Sequence, residues 1–390
     1  MTWKSPHRSS SSPDPTRNRS PPPLPLRPRR SPVKRFDLFL LGALVPIIVC
    51  SHLAQSSTSR ALGQPAFASR QLAWLLAGVV LLILFSLADY RILVRFAPLF
   101  YAVAILVLAV LPFVAPLRAG TRSWLVLGGY TIQPSEFARV AVLLAVAALA
   151  GRHQRETLSA GTVAQLTALV AVPAVLVALQ PDLGVALTFV PILAAALWLG
   201  GMPWRAWLGL LAAGLALLAA AWLWYLKPYQ QERILTFLDP ARAPTGAGYQ
   251  QRQSRIAVGS GGLTGKGLRA GTQSQLRFLP AQRTDFIFAA WAEETGFAGA
   301  AVLVLAYATV VLRLFVIAIA GRDREGVLLA GGIGVVLGTQ SLINMAMVLG
   351  LAPTTGITLP LLSYGGSSVL ATCICLGLAQ SVWRLRFANV

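Results

Sequence analysis

The sequence predicts an all-α, polytopic membrane protein with about ten transmembrane helices, on three observations. Hydrophobic residues make up 56% of the 390, charged residues only 12%, and mean hydropathy is +0.66, more apolar surface than a water-soluble core of this length can hide. Apolar runs of the roughly 20 residues needed to cross about 30 Å of hydrocarbon recur along the chain. None of them alternates apolar and polar residues as a membrane β-strand would, which argues against a barrel.

Residues 1–35 come first and stand apart, with nine Pro, seven Ser, nine Lys or Arg and one acid, Asp14. Such a composition buries too little apolar surface to fold, so a disordered tail is expected, and its charge suits anionic lipid on the cytoplasmic side better than nucleic acid. It is too long and too basic for a cleaved signal peptide, and many spans follow it. The membrane domain, 36–390, then reads as spans near 37–55, 71–88, 96–116, 134–151, 161–179, 182–200, 204–226, 286–319, 326–349 and 359–382. One large loop, 227–285, separates the seventh span from the eighth.

The distribution of Lys and Arg orients these spans. With the tail inside, the inner side holds eighteen, including Arg91, Arg95, Arg205, Arg322, Arg324, Arg384 and Arg386, whereas the short outer loops hold Arg60, Arg70, Arg118 and Arg122. Nine more lie in the 59-residue outer loop, long enough to be translocated regardless of charge. Both termini are therefore expected in the cytoplasm, and Arg139 and Arg313 fall inside spans. Cys50, Cys373 and Cys375 lie in apolar spans and His7, His52 and His153 are scattered, so neither a disulfide framework nor a zinc site is indicated.

Several polar stretches call for a reading. The run 259-GSGGLTGKG-267 departs from a phosphate loop twice: Ser260 replaces the first glycine, and Gly267 follows Lys266 where Ser or Thr should bind magnesium. It reads as a flexible outer loop with a turn. Gly334 and Gly338 read as a helix-packing pair. The stretches 133-QPSEFAR-139 and 180-QPDLG-184 each put Pro at a helix start and an acid in the first turn, where the helix dipole favours it. Glu136 and Arg139, three residues apart, share a face inside a span, an expensive placement unless it serves something. In 280-PAQRTDFIFAAWAEETGF-297 a charged run ending in Asp285 meets an apolar segment that still carries Glu293 and Glu294. Adjacent residues point about 100° apart on a helix, so one of these glutamates is expected to line a cavity and the other to pair internally. Counting spans from a cytoplasmic N-terminus brings Glu136, Asp182, Asp285 and the Gly/Pro-rich 349–368 to the outer face.

These residues carry a resemblance. The run 259-GSGGLTGKGLRAGTQSQLRFLPAQRTDFIFAAWAEETGF-297, with 121-TRSWLVLGGYTIQPSEFAR-139, QPDLG and 344-NMAMVLGLAPTTGITLPLLSYGGSS-368, resembles the RodA/FtsW (SEDS) family over residues 36–386. The stretch GTQSQLRFLP is similar to the RodA branch rather than the FtsW branch. The resemblance implies a ten-helix peptidoglycan glycosyltransferase of the cytoplasmic (inner) membrane, polymerising the lipid-linked disaccharide-pentapeptide (lipid II) into a growing glycan strand on the outer face. It implies Asp285 as the catalytic residue and a class B penicillin-binding protein as transpeptidase partner. It also implies a polar cavity including Glu136 and residue 139, where a lysine is usual and this chain has Arg139. Through the matched motifs the candidate substrate-binding set becomes Arg139, Glu136, Trp124, Asp182, Lys266, Gln275, Arg283, Ser363 and Ser367.

The chemistry agrees with that expectation. A sugar leaving from a lipid diphosphate needs a base for the acceptor hydroxyl and positive charge for the phosphates, not a strong acid. Asp285 can supply the first, with partial burial raising its pKa and Arg283 lowering it. Arg139, Lys266, Arg269, Arg277 or Arg283 can supply the second, and a single displacement would invert the anomeric centre. A divalent cation, Mg or Mn, is compatible with this chemistry, though no ligand cluster marks a site. The alternative is a transporter flipping the same precursor; the one-sided clustering of polar groups and the lack of an inverted repeat weigh against it. A non-enzymatic scaffold leaves the carboxylates without a role. The orientation is checked with Ser12→Cys and Thr245→Cys and an impermeant thiol reagent on intact cells: labelling at 245 and not at 12 is expected, and the reverse contradicts the whole arrangement.

Overall fold

The computed structural model describes residues 1–3, 36–118, 120–152, 157–239 and 246–387. Most of the basic tail expected over 1–35, with Ser12, therefore lies outside the described residues, as do Arg155, Arg242, Thr245 and His153. The unit Phe36–Val390 is a helical bundle.

In chain order the helices are α1 (Leu38–Ala61), α2 (Ala66–Leu87), α3 (Tyr90–Arg95), α4 (Ala97–Val114), α5 (Pro134–Gly151), α6 (Ala160–Ala178), α7 (Leu183–Leu187), α8 (Val190–Leu199), α9 (Trp204–Trp224), α10 (Pro228–Leu238), α11 (Ala247–Ser260), α12 (Thr272–Gln275), α13 (Ile287–Ile319), α14 (Arg324–Leu349) and α15 (Gly366–Leu385). One antiparallel hairpin, β1 (Leu125–Leu127) and β2 (Tyr130–Ile132), precedes α5. Nine of the described helices are long and apolar enough to cross a membrane, and α7 with α8 supplies a shorter apolar pair in place of the expected sixth span. That span is interrupted by a turn at Thr188 and Phe189, just ahead of Pro191 in the first turn of α8.

Burial orders the bundle. The apolar window of α5 is 83% buried, that of α15 72% and that of α14 67%, whereas α9 buries none of its window. The Ala and Val side chains of α5 let neighbouring helices approach closely. Helix α9 is apolar on every side and needs no protein cover in a bilayer, because its backbone bonds are satisfied internally. Helix α2 lies hard against α15: a Cβ on Gly78 would meet Cys373 Sγ at 2.7 Å, and one on Gly377 would meet the Leu82 carbonyl oxygen at 2.7 Å. Gly334 and Gly338 seat α14 on Leu314 and Val311 of α13. At the opposite end of α1 from Ala61, Asp37 caps the helix through Leu40 N–H (3.0 Å) and takes the guanidinium of Arg313 at 2.5 Å, which gives that in-span arginine its partner.

Helix α13 is bent at Gly296, whose φ of +66° with ψ of −165° interrupts the helical ladder. The run 261–267 repairs the break. Lys266 and Gly267 N–H donate to the carbonyls of Glu293 (3.1 Å) and Glu294 (3.0 Å), while Phe297 and Ala298 N–H donate to those of Gly262 (2.8 Å) and Leu263 (3.1 Å). All four backbone groups freed at the bend are thus paired, as a membrane protein requires. The expected flexible loop is therefore a fixed clasp, and its glycines serve close approach: a Cβ on Gly265, at φ +79°, would lie 2.2 Å from the Glu294 carbonyl oxygen. Gly265→Ala is expected to cost about 2–4 kcal/mol from the left-handed backbone and the clash. Gly209→Ala in α9, with nothing within 4 Å, should be neutral or gain up to about 1 kcal/mol. Denaturation midpoints in detergent check this, and an equal response of the two variants would contradict the clasp.

Candidate active site at the mouth of α13

The chain enters α13 through Arg283-Thr284-Asp285, and each of those carbonyls accepts from a distant donor. Arg283 O takes Gln55 Nε2 (3.0 Å) and Tyr364 N–H (2.8 Å); Thr284 O takes Ser363 Oγ (2.6 Å); Asp285 O takes Asn344 Nδ2 (2.9 Å). Asn344 also donates to Ile357 O (2.7 Å), and Gln55 to Leu362 O (3.0 Å). Helices α1 and α14 and the irregular 350–365 segment thereby fix the backbone on both sides of Asp285. The expected start of the last span at 359 is corrected here: α15 begins at Gly366, and the apolar letters before it belong to this segment, whose Ser363 is 2% exposed.

Asp285 is half-buried and its carboxyl faces Gly356, where a Cβ would stand 3.8 Å from Oδ2. Asp182, the N-cap of α7, accepts from Val185 N–H (3.3 Å) and from Gln133 Nε2 (3.1 Å). Gln133 N–H in turn donates to Ser367 Oγ (2.9 Å), tying the start of α5 to that of α15. A Cβ on Gly184 would meet Thr355 O at 2.1 Å, so the turn before α7 lies directly on the 350–365 segment. Burial pushes the carboxyls of both Asp182 and Asp285 above the usual carboxylate range; Asp182 pushes Asp285 further up, while Thr284 and the positive charge of Arg233 draw it back down.

Arg233, on α10, is the residue that sequence reasoning missed. It is one of nine bases in a long loop, with no motif to single it out, yet its charge bears on both aspartates. The expectation that Arg283 performs this service is corrected. Its side chain turns the other way, donating to Gln64 Oε1 at 2.9 Å and lying 4.0 Å over the Phe67 ring.

Below these groups, Arg139 and Glu136 form a direct ion pair, with side chains 7% and 5% exposed. The second arm of the Arg139 fork reaches Gln340 Oε1 at 2.8 Å, and Gln340 Nε2 donates to Thr358 O at 2.9 Å. The pair is thus wired through α14 to the same irregular segment. Ser135 Oγ beside Glu136 in the chain, Asn344 Oδ1 on α14 and the hydroxyls of Thr354 and Thr355 in the irregular segment are buried without a protein partner, groups that a polar ligand or solvent can satisfy. Trp124 is half-buried just before β1.

The structure places the remaining candidates at the clasp. Lys266 Nζ pairs with Glu293 (2.8 Å), whose other bonds come from Gln273 N–H (2.8 Å) and Ser274 N–H (3.1 Å). Gln275 donates to Ser57 Oγ (3.3 Å), which donates to Glu294 (2.5 Å). Neither glutamate lines a cavity, contrary to expectation: they are 0% and 2% exposed, because both are consumed in holding the loop on the bent helix. Among the described residues no group of three His, Cys, Asp or Glu could hold a metal ion.

Comparison with known proteins agrees with this geometry. The family model for cell cycle proteins of the FtsW/RodA/SpoVE type matches residues 34–386. The peptidoglycan glycosyltransferase MrdB of Escherichia coli K12 is 36% identical over 351 residues, 89% of this chain and 93% of its own. A probable peptidoglycan glycosyltransferase FtsW of Trichlorobacter lovleyi is 36% identical over 81% of this chain and 83% of its own. Among solved structures, the rod shape determining protein RodA of Thermus thermophilus superposes with a TM-score of 0.68 at 31% identity, covering 91% of this chain and 98% of that one. A chain solved for the structural coordination of polymerization and crosslinking by a peptidoglycan synthase complex gives 0.78 at 33% identity, covering 91% and 99%. The chain belongs to the FtsW/RodA/SpoVE family, and is a multi-pass membrane protein of its RodA-like kind.

The buried pair makes a direct prediction. Arg139→Ala leaves Glu136 and Gln340 without their donor and is expected to destabilise by about 3–5 kcal/mol and abolish turnover. Arg139→Lys keeps the charge but not the fork, and should retain most of both. Equal loss in the two variants, with the protein still folded by circular dichroism, would show that the guanidinium fork itself is required.

Proposed function

We propose that this chain, a peptidoglycan glycosyltransferase like its relatives, polymerises lipid-linked disaccharide-pentapeptide with Asp285 as general base. The observation that carries the reading is a half-buried carboxylate, Asp285, with raised proton affinity and a rigidly bonded backbone, at the mouth of a membrane helix. In the reaction the acceptor sugar hydroxyl attacks the anomeric carbon of the donor. Its proton passes to the Asp285 carboxylate, and the bond to the lipid diphosphate breaks with the electron pair leaving on the phosphate oxygen. The product linkage is inverted relative to the donor.

The other residues follow from charge and place. Arg233 steadies the developing negative charge from the loop side, and Arg139, oriented by Glu136 and Gln340, does so from the bilayer side. Asp182, anchored by Gln133, shapes the cavity wall, with Ser363 and Ser367 holding the segment that closes it. With no three-ligand group among the described residues, a divalent cation fits here only in company with the diphosphate; Asp182 and Asp285 would hold it, and it would add positive charge on the leaving group. The site faces outward from the cytoplasmic membrane, with both termini inside. A class B penicillin-binding protein acts beside it as crosslinking partner, a reading supported by the likeness to a chain of a peptidoglycan synthase complex.

Asp285→Asn keeps size and hydrogen bonding but removes the proton acceptor. It should leave expression and insertion intact while polymer synthesis falls roughly 10²-fold or more, about 2.7 kcal/mol of transition-state stabilisation. Wild-type activity should fall on acidification at a pH above the ordinary aspartate range, because the raised proton affinity of Asp285 protonates the base early. Normal polymerisation by Asp285→Asn alongside failure of Glu136→Gln would show that the base is elsewhere.

A further inference from the structure

The end of the bundle away from Asp285 carries a cavity that the chemistry above does not use. Helix α13 starts beside Asp285 and ends at Ile319; α15 holds Ser367 in its first turn and ends at Leu385. Between these far ends lies a cavity of about 430 Å³, lined by Val316, Ile319, Ala320, Trp383, Arg386 and Phe387. Trp383 and Arg386 are one helical turn apart, and Phe387 follows, so the three line the cavity together from the end of α15. The opposite wall, from α13, is apolar and faces outward. Ile319 is 84% exposed and Phe387 67%, exposure that suits hydrocarbon rather than water.

The charge at the rim is held in place by its neighbours. Arg386 donates from Nη1 to Trp383 O (2.7 Å), and its guanidinium carbon lies 3.2 Å from the Trp383 ring centroid and 4.5 Å from that of Phe387. A fork kept against two rings loses little freedom on binding. The neighbouring charges are engaged elsewhere. Arg313, 5.5 Å from the same indole, pairs with Asp37, and Asp323 pairs with Arg91 at 3.0 Å. Arg384 donates to the carbonyls of Ser86 (3.0 Å) and Leu87 (2.7 Å) at the end of α2. Arg386 is thus the cation that the cavity presents. The carbonyl ends of α13 and α15 meet here and by themselves disfavour an anion, so attraction for one comes from the guanidinium and not from a helix dipole. The indole N–H of Trp383 is buried with no acceptor among the described residues, a donor that a ligand oxygen can take.

The lining has the order of a phospholipid. Val316, Ile319 and Ala320 meet an acyl chain, Trp383 and Phe387 stand where aromatic side chains favour the interface, and Arg386 meets the phosphate. A free phosphate leaves the apolar wall uncovered, and the basic segment 1–35 has the wrong charge for this rim. A zwitterionic headgroup brings an ammonium towards the guanidinium, whereas an anionic one does not. We propose that Trp383, Arg386 and Phe387, with the α13 wall, bind an anionic phospholipid of the leaflet away from Asp285. On the orientation proposed above this is the cytoplasmic leaflet, whose anionic lipids attract bases at the membrane surface. The bound lipid joins the far ends of the two helices whose near ends adjoin Asp285 and Ser367, and stabilises the folded bundle by mass action.

The test uses the purified full chain in detergent, stripped of native lipid and titrated with phosphatidylglycerol or with phosphatidylcholine of the same acyl chains, bound lipid being counted by native mass spectrometry. Wild type should bind phosphatidylglycerol roughly tenfold or more tightly than phosphatidylcholine, the scale of a charge-assisted bond, and its melting midpoint should rise with phosphatidylglycerol only. Arg386→Ala should lose that preference and the rise in midpoint while phosphatidylcholine binding stays unchanged, and Arg386→Lys should fall between the two. Arg205 is an exposed arginine that also lies over an indole, that of Trp204 at 5.7 Å, but outside this cavity. Arg205→Ala should therefore bind phosphatidylglycerol within roughly twofold of wild type. Equal affinity of wild type for the two lipids overturns the site, and that comparison needs no variant. Unchanged phosphatidylglycerol binding in Arg386→Ala, with the fold intact by circular dichroism, overturns it as well. An equal loss in Arg205→Ala does so by reducing the effect to diffuse surface charge, and full displacement of the lipid by inorganic phosphate does so by leaving the apolar wall without a role. None of these readings depends on orientation, which the thiol labelling tests separately.

Discussion

The structure depends on how backbone groups are satisfied where the chain leaves regular helix close to the bilayer. At Arg283-Thr284-Asp285 three successive carbonyls precede α13 and so have no partner within it, and four side-chain or backbone donors from α1, α14 and the 350–365 segment take them. Unpaired groups at such a depth would cost several kcal/mol each. The need to pair them therefore fixes, at one stroke, which elements must pack together and where the Asp285 carboxyl points. The bend at Gly296 follows the same rule about three turns further on, with the clasp 261–267 supplying its missing bonds. The large loop is thereby held by two sets of bonds to backbone groups, in addition to the apolar contacts of Ala257 and Leu279 with the core.

Charge placement builds on that frame. Burial raises the proton affinity of Asp182 and Asp285 and the charge of Asp182 adds to it at Asp285, against the field of Arg233, so a proton is held at this site more readily than on an isolated aspartate. Deeper in, the fork of Arg139 spends one arm on Glu136 and the other on Gln340, a geometry that a lysine, with its point charge, meets only in part. The arginine at this position is thus matched by a two-partner arrangement. Arg233, whose charge bears on both aspartates, and Arg139, on α5, supply the positive charge that the proposed transfer from a diphosphate calls for.

Hydropathy made the spans legible, because apolar length is a local property. Their ends were not. Helix α1 runs on to Ala61 through Gln55, Ser57, Thr58 and Ser59, which are buried against other helices and so count as polar letters in a sequence but as core in the fold. The reverse error occurred at 359–365, where apolar letters form irregular backbone. Site residues within contiguous motifs, such as Glu136, Asp182 and Ser367, were nameable, and the Gln133 that bonds both Asp182 and Ser367 was visible only in three dimensions. One of Glu293 and Glu294 was expected to line a cavity because nothing local reveals a partner such as Lys266, 27 positions from Glu293. Arg233 carried no signal beyond its charge.

The account's central claim is that this site performs transfer rather than translocation. The most direct measurement is reconstitution of the purified chain in sealed vesicles with lipid-linked disaccharide-pentapeptide, reading both the polymer and its anomeric configuration by nuclear magnetic resonance. The account predicts a glycan whose new linkages are inverted relative to the donor. Movement of the precursor across the bilayer without any polymer, or a polymer with retained configuration, would contradict it.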